Sequence, residues 1–258
     1  MYNQTLKIEI YNYYQRIYSN NLGLPDANQR IIARLNEDKT SSHYSSYKNI
    51  EILEKLIHYN FSNKKVLIVG AGTGVEFIRF HKLKADAYAT EPDDSALAIL
   101  KLKAKKNKIG VNKIFKYRAE AMQFNNNSFD FVYCYTVIEH VQNVEQSIKE
   151  MIRVTKKGGY IYINCPDYRF IWEPHYKIYL PLFLPRIFSR FILRLLGRQT
   201  DFFNSLQLIN AKKLINIFRK YQVTALQIFG EKSKNKLAQI WQGKFGIEPN
   251  QSWLIQVK

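Results

Sequence analysis

The chain has 258 residues, 46% of them hydrophobic, and a formal net charge of +18. That length suits one α/β domain with embellishments or two small domains, and a chain this long buries roughly three-quarters of its unfolded surface, which removes the need for a disulfide framework. The charge admits an anionic partner such as nucleic acid or a membrane, although lysine, asparagine, isoleucine and tyrosine are all abundant, a bias of composition that produces the same excess.

The first residues, MYNQTLKIEIYNYYQRIYSNN, are polar and aromatic and lack the apolar core of a signal peptide. Nowhere does an apolar run reach about 18 residues, so no spanning helix is expected, and a cytoplasmic location follows. Ile10, Tyr13, Tyr14 and Ile17 recur at helical spacing, with Gly23 and Pro25 closing that helix. Tyr13, Tyr14 and Tyr18 are expected to pack in a core, a cap over a pocket being the alternative. Ile50, Leu53, Leu56 and Ile57 share one face of a second amphipathic helix. Residues 1–60 thus read as an N-terminal helical cap.

From residue 61 strands alternate with helices. KKVLIVG, DAYATE, KIFKYRA, FDFVYCYTV and GGYIYINC read as five strands. Helices fall in GVEFIRFHKL, in DDSALAILKLKAKKNKI and in VEQSIKEMIRVT. The second of these is capped by Asp93, Asp94 or Ser95 and faces inward through Leu97, Leu100 and Ala104. QVTALQIF and SWLIQVK add two strands near the end; the lysine-rich stretch 231–250 between them has no assignment. The alternation predicts a Rossmann-like, doubly wound and mostly parallel seven-stranded sheet with helices on both faces, over 61–258. RFIWEPHYKIYLPLFLPRIFSRFILRLLGR, residues 169–198, interrupts it and reads as an inserted helical lid. Cys134 and Cys165 lie in strands without a C-x-x-C pair, which predicts buried thiols in a reducing compartment and no metal site.

The chemistry concentrates in VLIVGAGTG. Gly70, Gly72 and Gly74 make a turn that lets backbone approach a ligand closely, but Val75 stands where a dinucleotide fingerprint needs its third glycine, which disfavours an NAD dehydrogenase. In an open α/β sheet such a loop sits beyond the carboxyl ends of the strands, where ligands bind. Glu91, at the end of the second strand, can accept hydrogen bonds from both hydroxyls of an adenosine ribose.

Taken with ATEPDDSALAIL, RAEAMQFNNNSFDFVYCYTVIEHV and EMIRVTKKGGYIYINCP, in that order over roughly 64–166, the chain resembles the class I S-adenosylmethionine-dependent methyltransferases of the type 11 branch. The resemblance implies S-adenosyl-L-methionine as cofactor. It also implies a pocket built from Gly70, Ala71, Gly72 and Gly74, from Glu91 and Pro92, from Glu120 and Ala121 beside the adenine, and from Tyr135. The chain departs from the family at Ile68, where an acid is usual, and at Arg118-Ala119-Glu120-Ala121, where Gly-Asp-Ala is usual. His140 and His175 are the candidate catalytic bases, each with an inert structural role as its alternative; a base is needed only for a protonated nucleophile such as a hydroxyl.

The insert bears on the acceptor. Arg186, Arg190, Arg194 and Arg198 recur every four residues as one drifting basic stripe beside Ile187, Phe188, Phe191, Ile192 and Leu195. Basic aromatic helices of this kind lie in membrane interfaces, so 176–198 reads as an anionic-membrane contact or as a lid packed on the sheet with its arginines solvated, two compatible readings. Pro181, Pro185 and the arginines argue against spanning. The expected acceptor is a small molecule, lipid or saccharide, from a protein peripheral on the inner membrane face if the contact is real. Nucleic acid is disfavoured as a partner: Cys134-Tyr135-Thr136-Val137 stands where amino-methylating enzymes carry Asp/Asn-Pro-Pro-Tyr, and Cys165-Pro166 reverses the cytosine-5 nucleophile. An RNA methyltransferase and a non-catalytic membrane-associated module that keeps the fold remain the competing functions.

Overall fold

The structure is a computed structural model that describes residues 2–36, 45–180, 182, 184–229 and 236–258. Three helices lead in: α1 (Tyr2–Gln15), continued by a π-helical turn over Arg16–Asn21, then α2 (Ala27–Leu35) and α3 (Ser45–Leu56). The expected alternation follows as β1 (Lys65–Val69), α4 (Val75–Lys82), β2 (Asp86–Thr90), α5 (Asp94–Lys106), β3 (Ile114–Phe115), β4 (Phe129–Tyr135), α6 (Val144–Val154) and β5 (Thr155–Pro166). The chain then makes an excursion through β6 (Trp172–Glu173), β7 (Ile178–Tyr179), α7 (Arg186–Leu195) and α8 (Asp201–Ser205). It closes with α9 (Ala211–Lys220), β8 (Thr224–Ile228), α10 (Lys236–Phe245) and β9 (Asn250–Gln256).

Seven strands form one sheet in the order β3-β2-β1-β4-β5-β9-β8. β1 to β5 run parallel, and β9 is antiparallel to both β5 and β8. This is the Rossmann-like sheet the alternation predicts. The strand order reverses between β1 and β4, so a crevice opens there beyond their carboxyl ends. The central strands are apolar almost throughout because both faces are covered. α6 and α9 bury Ile148, Met151, Leu214 and Phe218 on one face; α3, α4 and α5 bury Ile50, Leu53, Phe77, Phe80 and Leu100 on the other.

Side-chain caps set where three of these helices begin. The Asp93 carboxylate accepts from Ala96 N–H at 2.9 Å at the start of α5, Asn143 Oδ1 from Gln146 N–H at 3.0 Å at α6, and Asn210 Oδ1 from Lys213 N–H at 2.9 Å at α9. Leu97, Leu100 and Ala104 face inward on α5 as expected, and both cysteines are free, buried thiols.

Three boundaries differ from expectation. KIFKYRA contributes only Ile114–Phe115 to the sheet, because β3 is an edge strand paired with β2 alone and Tyr117 turns away to pack on Phe124. Residue 60 marks no break in packing, since Ile50 and Leu53 of α3 share a core with β1 and α4. The excursion runs past residue 198 through α8 to Asn210, the cap of α9. Its Tyr176, Leu180, Leu193 and Phe203 are buried together with Leu22, Leu24 and Ala27. The insert and the segment after α1 therefore form one cap over the crevice. Arg198 ties them directly, donating to Gly23 O at 2.8 Å. The stretch 231–250 contains α10 and the start of β9; residues 231–235 and Pro181 lie outside the described residues. Among the described residues no helix is long and apolar enough to cross a membrane.

Candidate cofactor and acceptor site

The turn after β1 depends on its glycines. Gly70, Gly72 and Gly74 have φ of +63°, +51° and +89°, in the left-handed region that other residues enter at a cost. A Cβ on Gly70 would stand 2.5 Å from Val137 Cγ2, and one on Gly74 would strike Leu100 Cδ1. A Cβ on Gly72 would meet nothing within 4 Å. Two glycines thus seat the loop against its neighbours, and the third leaves bare backbone facing open space.

That space is a cavity of about 620 Å³ at the switch point, within the range of small-molecule and cofactor sites. Gly70, Ala71, Gly72, Glu91, Pro92 and Tyr135 line it. Glu91 is buried, with each carboxylate oxygen held by backbone: Gly72 N–H donates to Oε2 at 2.7 Å and Asp93 N–H to Oε1 at 2.9 Å. Burial raises its pKa above the usual carboxylate value, and the two N–H bonds oppose the shift. Each oxygen keeps acceptor capacity beyond its backbone bond. Backbone that a ligand can approach and a fixed acid one strand over therefore share one wall, which suits a ribose and its attached chain.

Three expected positions fall elsewhere or act differently. Gly74 is not on the wall; it begins α4 and packs on α5. Glu120 and Arg118 border a smaller cavity of about 80 Å³, which shares Gly70, Pro92, Val137 and His140 with the large one. The Glu120 carboxylate already accepts from Gln142 N–H at 2.7 Å and Asn143 N–H at 3.3 Å, so it braces the turn before α6. Ala121 lines neither cavity: its N–H closes a tight bridge onto Arg118 O, and Ala119 takes the place beside the small cavity. Ile68 sits in the core, 2% exposed, but Glu76, in the first turn of α4, puts a different carboxylate on the cavity wall.

Tyr13, Tyr14, Ile17 and Tyr18 also line the cavity, a correction to the expectation of core packing. Tyr13 and Tyr14 do touch the Leu6–Ile10–Ile99 cluster, but their rings face the crevice as well. The π-helical turn that carries Ile17 and Tyr18 is pinned at its base, where Arg16 pairs with Asp93 at 2.7 Å. Arg34 reaches the same wall and donates to Tyr18 Oη at 2.9 Å. Thr73, Val75, Thr136, Val137 and Phe202 line the cavity without having been expected there. The first four flank the glycine loop or follow β4, where a crevice position is readable; Phe202 and Arg34 carry no local signal.

His140 and His175, far apart in sequence, meet at the other end of the cavity, Nε2 to Nε2 at 3.2 Å. Glu173 Oε1 lies 2.7 Å from His175 Nδ1, and its second oxygen accepts from Tyr176 N–H at 2.7 Å. Burial lowers the His140 pKa, and the neighbouring His175 lowers it further. Burial also pulls His175 down, but the hydrogen bond and charge of Glu173 outweigh it and the net shift is upward. Glu139 is wholly buried, with a pKa pushed up to about 7 by that burial.

The arginines of the insert do not form one face. Each i,i+4 step rotates about 40° around the helix, and this drift turns Arg186 inward, to the carbonyls of Asn204 and Leu206. Arg198 turns to Gly23, leaving Arg190 half-buried and Arg194 exposed. α7 packs inward through Ser189 and Leu193, while Ile187, Phe188, Phe191 and Leu195 are each more than half exposed. A lid whose apolar face packs on the sheet is therefore not what the fold contains.

The chain is similar to known proteins in sequence and in fold. Residues 67–163 match the family model described as "Methyltransferase domain". The ubiquinone biosynthesis O-methyltransferase of Pelagibacter ubique is 28% identical over 101 residues, covering 39% of this chain and 41% of that protein. The ribosomal protein L11 methyltransferase of Campylobacter lari is 30% identical over 122 residues, covering 47% and 41%. The chain thus spans about two-fifths of the length of the curated relatives it matches. Among solved structures, a SAM-dependent methyltransferase from Aquifex aeolicus superposes with a TM-score of 0.51 at 14% identity, covering 80% of this chain and 89% of that one.

Proposed function

We propose, because residues 67–163 belong to the methyltransferase domain family of the class I, type 11 branch, that this chain transfers a methyl group from S-adenosylmethionine to a small hydroxyl-bearing acceptor. One observation carries the reading: the Glu91 carboxylate and the bare Gly72 backbone are joined at 2.7 Å on the wall of the switch-point cavity. The residues present fit the cofactor. Gly72 leaves space where any side chain would intrude, Glu91 offers acceptors to ribose hydroxyls, and Glu76 supplies the carboxylate for the ammonium group that Ile68 does not.

The cofactor supplies a sulfonium methyl that is already a good electrophile. The protein must then align the acceptor oxygen with that carbon and exclude water, which is mainly proximity and orientation. Tyr13, Tyr14, Tyr18 and Phe202 close the cavity with aromatic surface, and the His140–His175 pair on its wall supports a role in handling the proton of an acceptor hydroxyl. Tyr135 and Pro92 border the adenosyl end.

The acceptor we favour is a lipid or lipid-like small molecule, with saccharides next. Two features support it: the aromatic lining, and the apolar outer face of α7 edged by Arg190 and Arg194, which suits contact with an anionic membrane holding such an acceptor. The resemblance to an enzyme of ubiquinone biosynthesis makes intermediates of that kind the first to screen. Calorimetry with S-adenosylmethionine, followed by radiolabelled methyl transfer into lipid and saccharide extracts, tests the reading; absence of cofactor binding by folded protein overturns it.

A further inference from the structure

Glu139 is 0% exposed, and neither of its carboxylate oxygens has a hydrogen-bond partner. A buried carboxylate is costly to leave in that condition, and proteins resolve it by protonation, by pairing or by metal coordination. The nearest candidates are the two histidines. Glu139 Oε1 lies 3.9 Å from His140 Nε2, which lies 3.2 Å from His175 Nε2. One donor atom from each residue falls within 4.8 Å of the others. Two imidazole nitrogens that face each other so closely share either a hydrogen that one ring donates to the other or a metal ion.

We propose that Glu139, His140 and His175 bind one divalent transition-metal ion, zinc being the type case. Ligands about 2.0–2.1 Å from a tetrahedral zinc stand roughly 3.3 Å apart. The two imidazole nitrogens are already at that spacing, and the carboxylate Oε1 lies somewhat beyond it, 3.9 Å from His140 Nε2. Two histidines and one glutamate form a ligand set that holds zinc while leaving a position open. The next layer is also in place. Glu173 hydrogen-bonds His175 Nδ1 and so directs Nε2 toward the site, and Tyr176 N–H fixes Glu173 in turn. Both histidines line the large cavity, so the open position faces the acceptor and would receive one of its oxygens. That use of the ion rests on the methyl-transfer reading; the binding site does not.

The test titrates chelator-treated full-length protein with Zn²⁺ by calorimetry and with Co²⁺ by visible absorption. The expected result is saturation at one ion per chain, with the intense d–d bands of a four- or five-coordinate Co²⁺ site. Glu139→Gln and His175→Ala should each lose this binding by tenfold or more, and Glu173→Gln should weaken it by roughly 10–100-fold through His175 alone. Circular dichroism and S-adenosylmethionine binding check that the variants fold. No saturable binding of Zn²⁺ or Co²⁺ by folded wild type, binding of Mg²⁺ alone, or unchanged binding in folded Glu139→Gln and His175→Ala would each overturn the proposal. Loss of cofactor binding with metal binding intact would overturn the methyl-transfer reading instead.

Discussion

At the scale of single residues, Glu91 joins the glycine loop to the cap of α5. Glu91→Ala removes an acceptor for the ribose and two for the loop, and should weaken S-adenosylmethionine binding by about 1.5–3 kcal/mol, as charged hydrogen bonds do, measured by calorimetry. Its raised pKa gives a pH dependence with a definite sign. On the proposal that the carboxylate form accepts the ribose hydroxyls, affinity should fall as pH drops through a midpoint above 4.5, the ordinary glutamate value. Glu91→Gln should lack that acid limb. The effect on the unliganded fold runs oppositely: a carboxyl whose pKa is raised on folding favours the fold below its ordinary pKa and loses that contribution as pH rises through the folded value. The glycines separate two roles. Gly70→Ala meets Val137 and a positive φ together, and should cost roughly 1–3 kcal/mol of stability in urea unfolding. Gly72→Ala has the strain without the clash, so its main expected loss is cofactor affinity. The sequence motif marks all three glycines alike; only their neighbours distinguish the one that faces open space in the cavity.

At the scale of elements, α7 and the π-helical turn carry what distinguishes this chain from a bare methyltransferase domain. Ile187, Phe191 and Leu195 give α7 an exposed apolar face; on the proposal that this face meets a membrane, Ile187→Ser with Phe191→Ser should abolish co-sedimentation with phosphatidylglycerol-containing vesicles while leaving cofactor binding intact. Arg190→Glu with Arg194→Glu should do the same at low salt, where headgroup attraction is least screened. If wild-type protein never co-sediments, α7 meets something other than a membrane. The basic, aromatic composition of this helix is readable from the residues; which arginines face outward is not, because a four-residue period drifts around the helix and the neighbours decide where each one lands. The tyrosines of α1 show the same limit. Helical spacing places Tyr14 and Tyr18 on one side, but whether that side meets a core or a cavity depends on α5, α2 and the insert.

At the scale of the whole molecule, the cofactor should bind across the cleft between the sheet and the cap. A ligand that binds only the folded state at 100 times its Kd stabilises it by about 2.7 kcal/mol, which at roughly 2–4 °C per kcal/mol predicts a rise in melting temperature of roughly 5–10 °C in a differential scan. A chain that melts at the same temperature with and without saturating S-adenosylmethionine would not be using this cavity for it. Most of the sheet is determined by local pattern: buried parallel strands read as apolar runs, helices as amphipathic periods between them, and the glycine loop with Glu91 one strand later as the crevice, since the connection rules of parallel sheets leave little freedom about where these ends meet. The cap and the histidine end had no such local signature. His140 follows β4 and His175 lies on the insert, and no periodicity brings Glu139, His140, His175 and Glu173 together; nor does Glu120, an acid at the expected step of the ladder, reveal that the α6 turn already occupies it. Those pairings come from burying Leu22, Tyr176, Leu193 and Phe203 in one cluster, a long-range packing choice that apolar burial makes without regard to sequence distance.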